Sequence, residues 1–182
     1  MTYLESKDVT AIAASAAVWA VLNIWISPIF WQITHLPFLC DVLAFTALIF
    51  VVWWTRKVGM ASLTGLIVTL LTLAFRPGAF HMLGFLAASI LFDLTTKAVG
   101  YDLLSNRLKG GVAFFSASLI SSALAGFIIG SLFMNIKAIS GILFFTGLHM
   151  VGGAIGSVIG VTLVNALNVR GIRPGGGVEV KP

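Results

Sequence analysis

Residues 140–167 read SGILFFTGLHMVGGAIGSVIGVTLVNAL, a run without a single Asp, Glu, Lys or Arg. A helix rises 1.5 Å per residue, so roughly 20 apolar residues cross the hydrocarbon of a bilayer. This stretch is long enough to do so. His149 falls about 14 Å along it, near mid-membrane, where a polar ring must face protein or water and not lipid. Gly152, Gly156 and Gly160 recur every four residues beside it, which lets the backbone of another helix approach closely.

The rest of the chain has the same character. Of 182 residues 59% are hydrophobic and 9% charged, and the mean hydropathy is +1.06, values that fit an all-α integral membrane protein and leave no room for a soluble domain. The first apolar run continues too far for a cleaved signal peptide, so it is expected to be retained. Cys40 is the only cysteine, which excludes an intrachain disulfide and a thiolate cluster. The net charge of +5 does not form a basic stripe of the kind that binds nucleic acid, since the basic residues gather at segment ends.

Six transmembrane helices are expected, over residues 9–26, 39–54, 60–75, 79–99, 111–133 and 140–167. Lipid leaves an open strand edge without partners, and the period-two pattern of a barrel is absent. Placing the N-terminus inside puts Lys7, Arg56, Lys57, Lys97, Arg107, Lys109, Arg170, Arg173 and Lys181 in the cytoplasm, with only Arg76 and Lys137 outside. That asymmetry obeys the positive-inside rule and leaves both termini cytoplasmic. Trp53 and Trp54 suit an inner aromatic belt, and Trp25 and Trp31 an outer one. Residues 1–168 form the membrane domain, and residues 169–182, with three consecutive glycines, a flexible basic cytoplasmic tail.

With this orientation the outer side receives a long connection, residues 27–38 (SPIFWQITHLPF). Its aromatic residues, His35 and two prolines suit a loop lying over a binding cavity. Trp19 and Asn23 share a face of the first helix one turn apart, with Asn23 needing a polar partner in its outer half. Arg76 and His81 stand where the fourth helix begins, and its free N–H groups favour an anionic or electron-rich group there. Asp93 and Lys97, four apart, are expected to pair. Ala13 with Ala17, and Ala16 with Ala20, give the first helix small residues in register for contact with another helix.

Motifs for catalysis are missing. There is no GxxxxGK[ST] phosphate loop, so the chain cannot drive transport with ATP unaided, and no HExxH, CxxC or acidic pair for a metal centre. No enzymatic activity and no cofactor are expected.

The alanine-rich AIAASAAVWA of the first helix, the long outer connection, PGAFHMLGFLAASILFDL and the closing HMVGGAIGSVIGVTLVNAL together resemble the substrate-binding S components of energy-coupling-factor (ECF) vitamin transporters. The likeness spans residues 9–173 and lies in patterns of small residues. It implies a six-helix protein of the cell membrane that captures a vitamin or vitamin precursor from outside. Delivery inward would require a transmembrane coupling protein and two ATPase subunits. Carried over by position, Trp19, Asn23, Trp31, His35, Arg76, His81, Asn135 and His149 become substrate-binding candidates, and Ala13, Ala16, Ala17 and Ala20 the coupling surface. The aromatic residues favour a flat heterocyclic ligand, with thiamine-related compounds among the candidates. Two other readings stand beside this one: a metal or haem uptake component using His35, His81 and His149, and a ligand-free membrane scaffold.

Overall fold

A computed structural model describes residues 4–104 and 106–174. The chain is helical: α1 (Ser6–Thr34), α2 (Phe38–Thr55), α3 (Met60–Phe75), α4 (Met82–Val99), a single turn α5 (Tyr101–Leu104), α6 (Arg107–Ile128) continued by a π-helical turn (Ile129–Phe133), and α7 (Ile139–Val169). Five of these stretches are long and apolar enough to cross a membrane, and α3, at 16 residues, is shorter. The outward faces carry Val18, Val21, Trp25, Leu70, Leu94, Val158 and Leu163. Large apolar side chains directed away from the core over several helices are what a multi-pass membrane protein presents to lipid.

The helices differ from the sequence expectation mainly at one end. Residues 27–34, expected as part of an outer loop, are the last two turns of α1, and only residues 35–37 connect it to α2. Pro28 sits inside the helix and removes only its own N–H from the ladder, a loss that a membrane helix tolerates. The helix ends at His35, whose left-handed φ of 55° closes it with an N–H to Trp31 O bond of 2.8 Å. At 29 residues α1 is about 43 Å long, more than a perpendicular crossing of the roughly 30 Å hydrocarbon requires. In contrast α4 begins three residues later than expected, because residues 76–81 fold into successive turns. Part of the tail is ordered: Ile172 packs against the core and its N–H bonds Leu167 O at 3.0 Å. The remainder of the expected flexible tail, residues 175–182, lies outside the described residues.

The α7 helix packs most extensively on α2 and α6, and the glycine spacing explains how. A Cβ on Gly152 would stand 2.5 Å from Phe38 O and 2.7 Å from Asp41 Cβ; on Gly156 it would stand 2.8 Å from Val42 O. The backbones of α2 and α7 therefore touch at these points. Thr46 Oγ1 adds a 3.1 Å bond to Gly156 O between the same helices. Deeper in the core Phe92 lies between Phe45 and Phe114, with centroids at 5.9 and 6.3 Å.

Two ion-pair expectations change. Asp93 does not turn to Lys97; its Oδ2 accepts from Ser62 N at 2.7 Å and Ser62 Oγ at 2.6 Å. Ser62 lies in the first turn of α3, so Asp93 satisfies otherwise free N-terminal donors of a neighbouring helix, where a negative charge also suits the dipole. Asp8, which drew no attention in the sequence, is buried and bonds Lys57 Nζ at 2.6 Å, tying the start of α1 to the end of α2.

Candidate functional site

A cavity of about 490 Å³ opens at the end of the bundle where α1 and α3 finish and α2, α4 and α7 begin. Its size is that of a small-molecule site. The second half of α1 supplies one wall, with Asn23 and Ser27 before Pro28 and Phe30 and Trp31 on the extension past it. The turns before α4 bring Arg76 and His81 to the opposite side, and Cys40 comes from the first turn of α2. The π turn contributes Ile129, Leu132 and Phe133. Such a turn rotates side chains out of α-helical register and recurs at functional sites. The floor is aromatic, with Phe85 and Phe145 beside His149 at ring-centroid distances of 6.0 and 4.8 Å.

His149 is 2% exposed and Asn23 1%. Nδ1 of His149 lies 2.7 Å from Oδ2 of Asp41, close enough for charge pairing but without the alignment of a hydrogen bond. Neither ring nitrogen, nor either Asp41 oxygen, has a hydrogen-bond partner among the described residues. The same holds for Asn23 Oδ1 and Ser27 Oγ. Asn23 Nδ2 makes only a 3.1 Å contact with the Met82 sulfur, a weak acceptor. Buried polar atoms are normally paired, and each one left open costs about 1–3 kcal/mol. Those of Asn23, Ser27 and His149 lie on the wall of one cavity, where a ligand with hydrogen-bonding groups would satisfy them; others, on Ser118, Ser121 and Ser157, lie elsewhere in the core.

Five of the eight expected binding residues meet at this cavity: Asn23, Trp31, Arg76, His81 and His149. Three do not. Trp19 lies beneath it, 2% exposed and edge-on to Phe85 at 6.4 Å, so it supports the floor without lining it. His35 is exposed at the end of α1 and packs edge-on to Trp31 at 6.2 Å; Asn135 is exposed in the link to α7. Neither reaches the lining, because α1 carries His35 past the rim and the left-handed Asn135, at φ 49°, ends the turn after the π segment. The three histidines thus do not converge, and among the described residues no group of His, Cys, Asp or Glu could hold a metal ion. The alanine surface divides as well. Ala16 and Ala20 are buried in the core, so only Ala13 and Ala17 remain open to a partner helix.

Sequence reasoning passed over Asp41, Ser27 and the aromatic floor. Asp41 was detectable, since a lone carboxylate in the apolar run 39–54 is costly unless it has a partner or a task. Phe85 and Phe145 gave no such signal among 14 phenylalanines. Compared with known proteins, the chain matches no family model, no curated protein and no solved structure.

Proposed function

We propose that this chain is the substrate-binding S component of an ECF-type importer of the cell membrane, with six spans and cytoplasmic termini. It takes a heterocyclic vitamin or vitamin precursor into the 490 Å³ cavity from outside and passes it inward with a coupling protein and two ATPases. The observation that carries this reading is the set of buried, unpartnered polar atoms on Asn23, Ser27 and His149 in the wall of an otherwise largely aromatic cavity. Among the described residues Arg76 is the only Lys, Arg, Asp or Glu in the lining, so a flat ring would lie among the aromatic residues with an electron-rich or anionic group toward Arg76. The α3 helix spans about 24 Å, and local thinning of the bilayer accommodates it. Ala13 and Ala17, exposed one turn apart, offer the smooth face through which a coupling helix would dock.

The test is native mass spectrometry of the protein purified in mild detergent, followed by identification of any small molecule released on denaturation. A stoichiometric vitamin-like compound, lost from His149→Ala while the protein stays folded, is the expected result. If nothing is retained and no compound of a vitamin panel raises the unfolding temperature, the chain is a membrane scaffold and the proposal fails.

A further inference from the structure

A second cavity, of about 280 Å³, lies at the opposite end of the bundle, between the ends of α2 and α7 and the start of α6. Arg56, Arg107, Asn165 and Asn168 line it over a floor that includes Trp53 and Phe114. Among the described residues no carboxylate lines it and neither arginine forms an ion pair.

The two arginines stand at opposite kinds of helix end; the charge of Arg56 suits the C-terminal end of the α2 dipole, whereas that of Arg107 does not suit the start of α6. Arg56 closes α2 in the left-handed conformation, at φ 49°, where glycine or asparagine would be less strained. Arg107 is the first residue of α6, at the positive end of the helix dipole, where a cation is disfavoured and an acid preferred. Moreover, the first turn of α6 contains no acidic residue, and the side chain of Asn106 is already engaged in capping Leu108 N and Lys109 N. Two cations around one pocket, one of them at a helix end that disfavours it and neither in an ion pair among the described residues, with amide donors beside them, call for an external anion.

We propose that this cavity binds a phosphate group. The guanidinium fork matches phosphate oxygens, and the asparagine amides add neutral donors. Trp53 and Phe114 give the pocket an apolar floor, which favours the phosphodiester and glycerol of an anionic phospholipid. Basic pockets between membrane helices on the cytoplasmic side hold such head groups. This inference is independent of what the first cavity binds.

The experiment incubates the full-length protein in detergent with equal amounts of dioleoylphosphatidylglycerol and dioleoylphosphatidylcholine and reads retained lipid by native mass spectrometry. A parallel arm titrates inorganic phosphate and follows the unfolding temperature. Preferential retention of phosphatidylglycerol identifies the lipid head group; a phosphate-dependent rise without lipid preference identifies free phosphate. Either signal should fall about fivefold in Arg107→Gln and again in Arg56→Gln, the effect of one basic residue at an anionic surface. Lys109→Gln, exposed on the same turn of α6 but outside the lining, should leave it unchanged. The proposal is overturned if wild-type protein shows neither signal, or if Lys109→Gln lowers it as far as Arg107→Gln, which would mean diffuse attraction without a site. Both arginines are exposed, and the single variants carry the test if the double variant does not fold.

Discussion

At one end of the bundle Asp8 is held by Lys57, and Asp93 by Ser62 through Oδ2 with Oδ1 left open, each across a helix boundary, whereas at the other Asp41 faces only His149 and neither carboxylate oxygen nor ring nitrogen makes a hydrogen bond among the described residues. All three aspartates are buried. The difference lies in what surrounds them. Asp8 and Asp93 sit where helices α1 to α4 are tied together, and their carboxylates serve as caps and cross-links. Asp41 sits behind His149, which lines the cavity together with Asn23 and Ser27, each with open valences of its own. Proteins leave polar groups unsatisfied mainly where function needs them, at a cost in stability. The comparison therefore divides the molecule into a tied end and an open, ligand-accepting end.

The largest effect should come from Gly152→Ala. Its methyl group would meet the backbone of Phe38 and Asp41 Cβ, so α2 must move away from α7 and carry Asp41 off His149. Overpacking against backbone should cost about 3 kcal/mol, and retained ligand should disappear from the native mass spectrum. The matching change at the tied end, Gly65→Ala, meets the Ser89 side chain and should destabilise α3 against α4 without emptying the cavity. Chemical unfolding in detergent and ligand occupancy, measured on both variants, separate the two ends. Loss of ligand from Gly65→Ala would mean that they are one unit.

Asp93→Ala comes next. Removing the carboxylate strips the amide and hydroxyl of Ser62 of their acceptor at the start of α3. A hydrogen bond to a charged group contributes about 1.5–3 kcal/mol, so a loss of about 2 kcal/mol is expected. Ligand occupancy of the folded fraction should not change. A fall in both would place Asp93 in the same functional unit as Asp41.

The helical class and the positions of most helices were legible in the sequence because length and hydropathy are local properties. The end of α1 was not, because Pro28 with Gln32 and Thr34 reads as a loop, whereas the helix continues through the proline, which removes only one N–H from its ladder. Within the site, His149 and Asn23 stood out as polar residues in apolar runs, and both line the cavity. Asp93 misled for the opposite reason. Spacing of four predicts an ion pair with Lys97, but the donors of Ser62, 31 residues away in sequence, compete successfully for the carboxylate. His35 reads as a site residue from an expected outer loop and Asn135 from the resemblance, and the left-handed turns that end their segments leave both outside the lining.

The smallest change in stability, and the sharpest test of the open end, belongs to Asp41→Asn. The amide keeps the shape of the carboxylate and, being neutral, is spared the cost of burying a charge that makes no hydrogen bond, which offsets the lost attraction to His149. Unfolding free energy should therefore change by less than about 1 kcal/mol. The effect on His149 is different in kind. A carboxylate beside Nδ1 favours the proton on that nitrogen and leaves Nε2 as an acceptor, whereas an amide can face either tautomer. Ligand that donates to Nε2 should then bind about tenfold more weakly, the equivalent of roughly one hydrogen bond. Stability and binding move apart if Asp41 serves the cavity. If instead Asp41→Asn unfolds the protein while the folded fraction holds its ligand normally, Asp41 is a cross-link like Asp8 and Asp93, and the contrast between the two ends collapses.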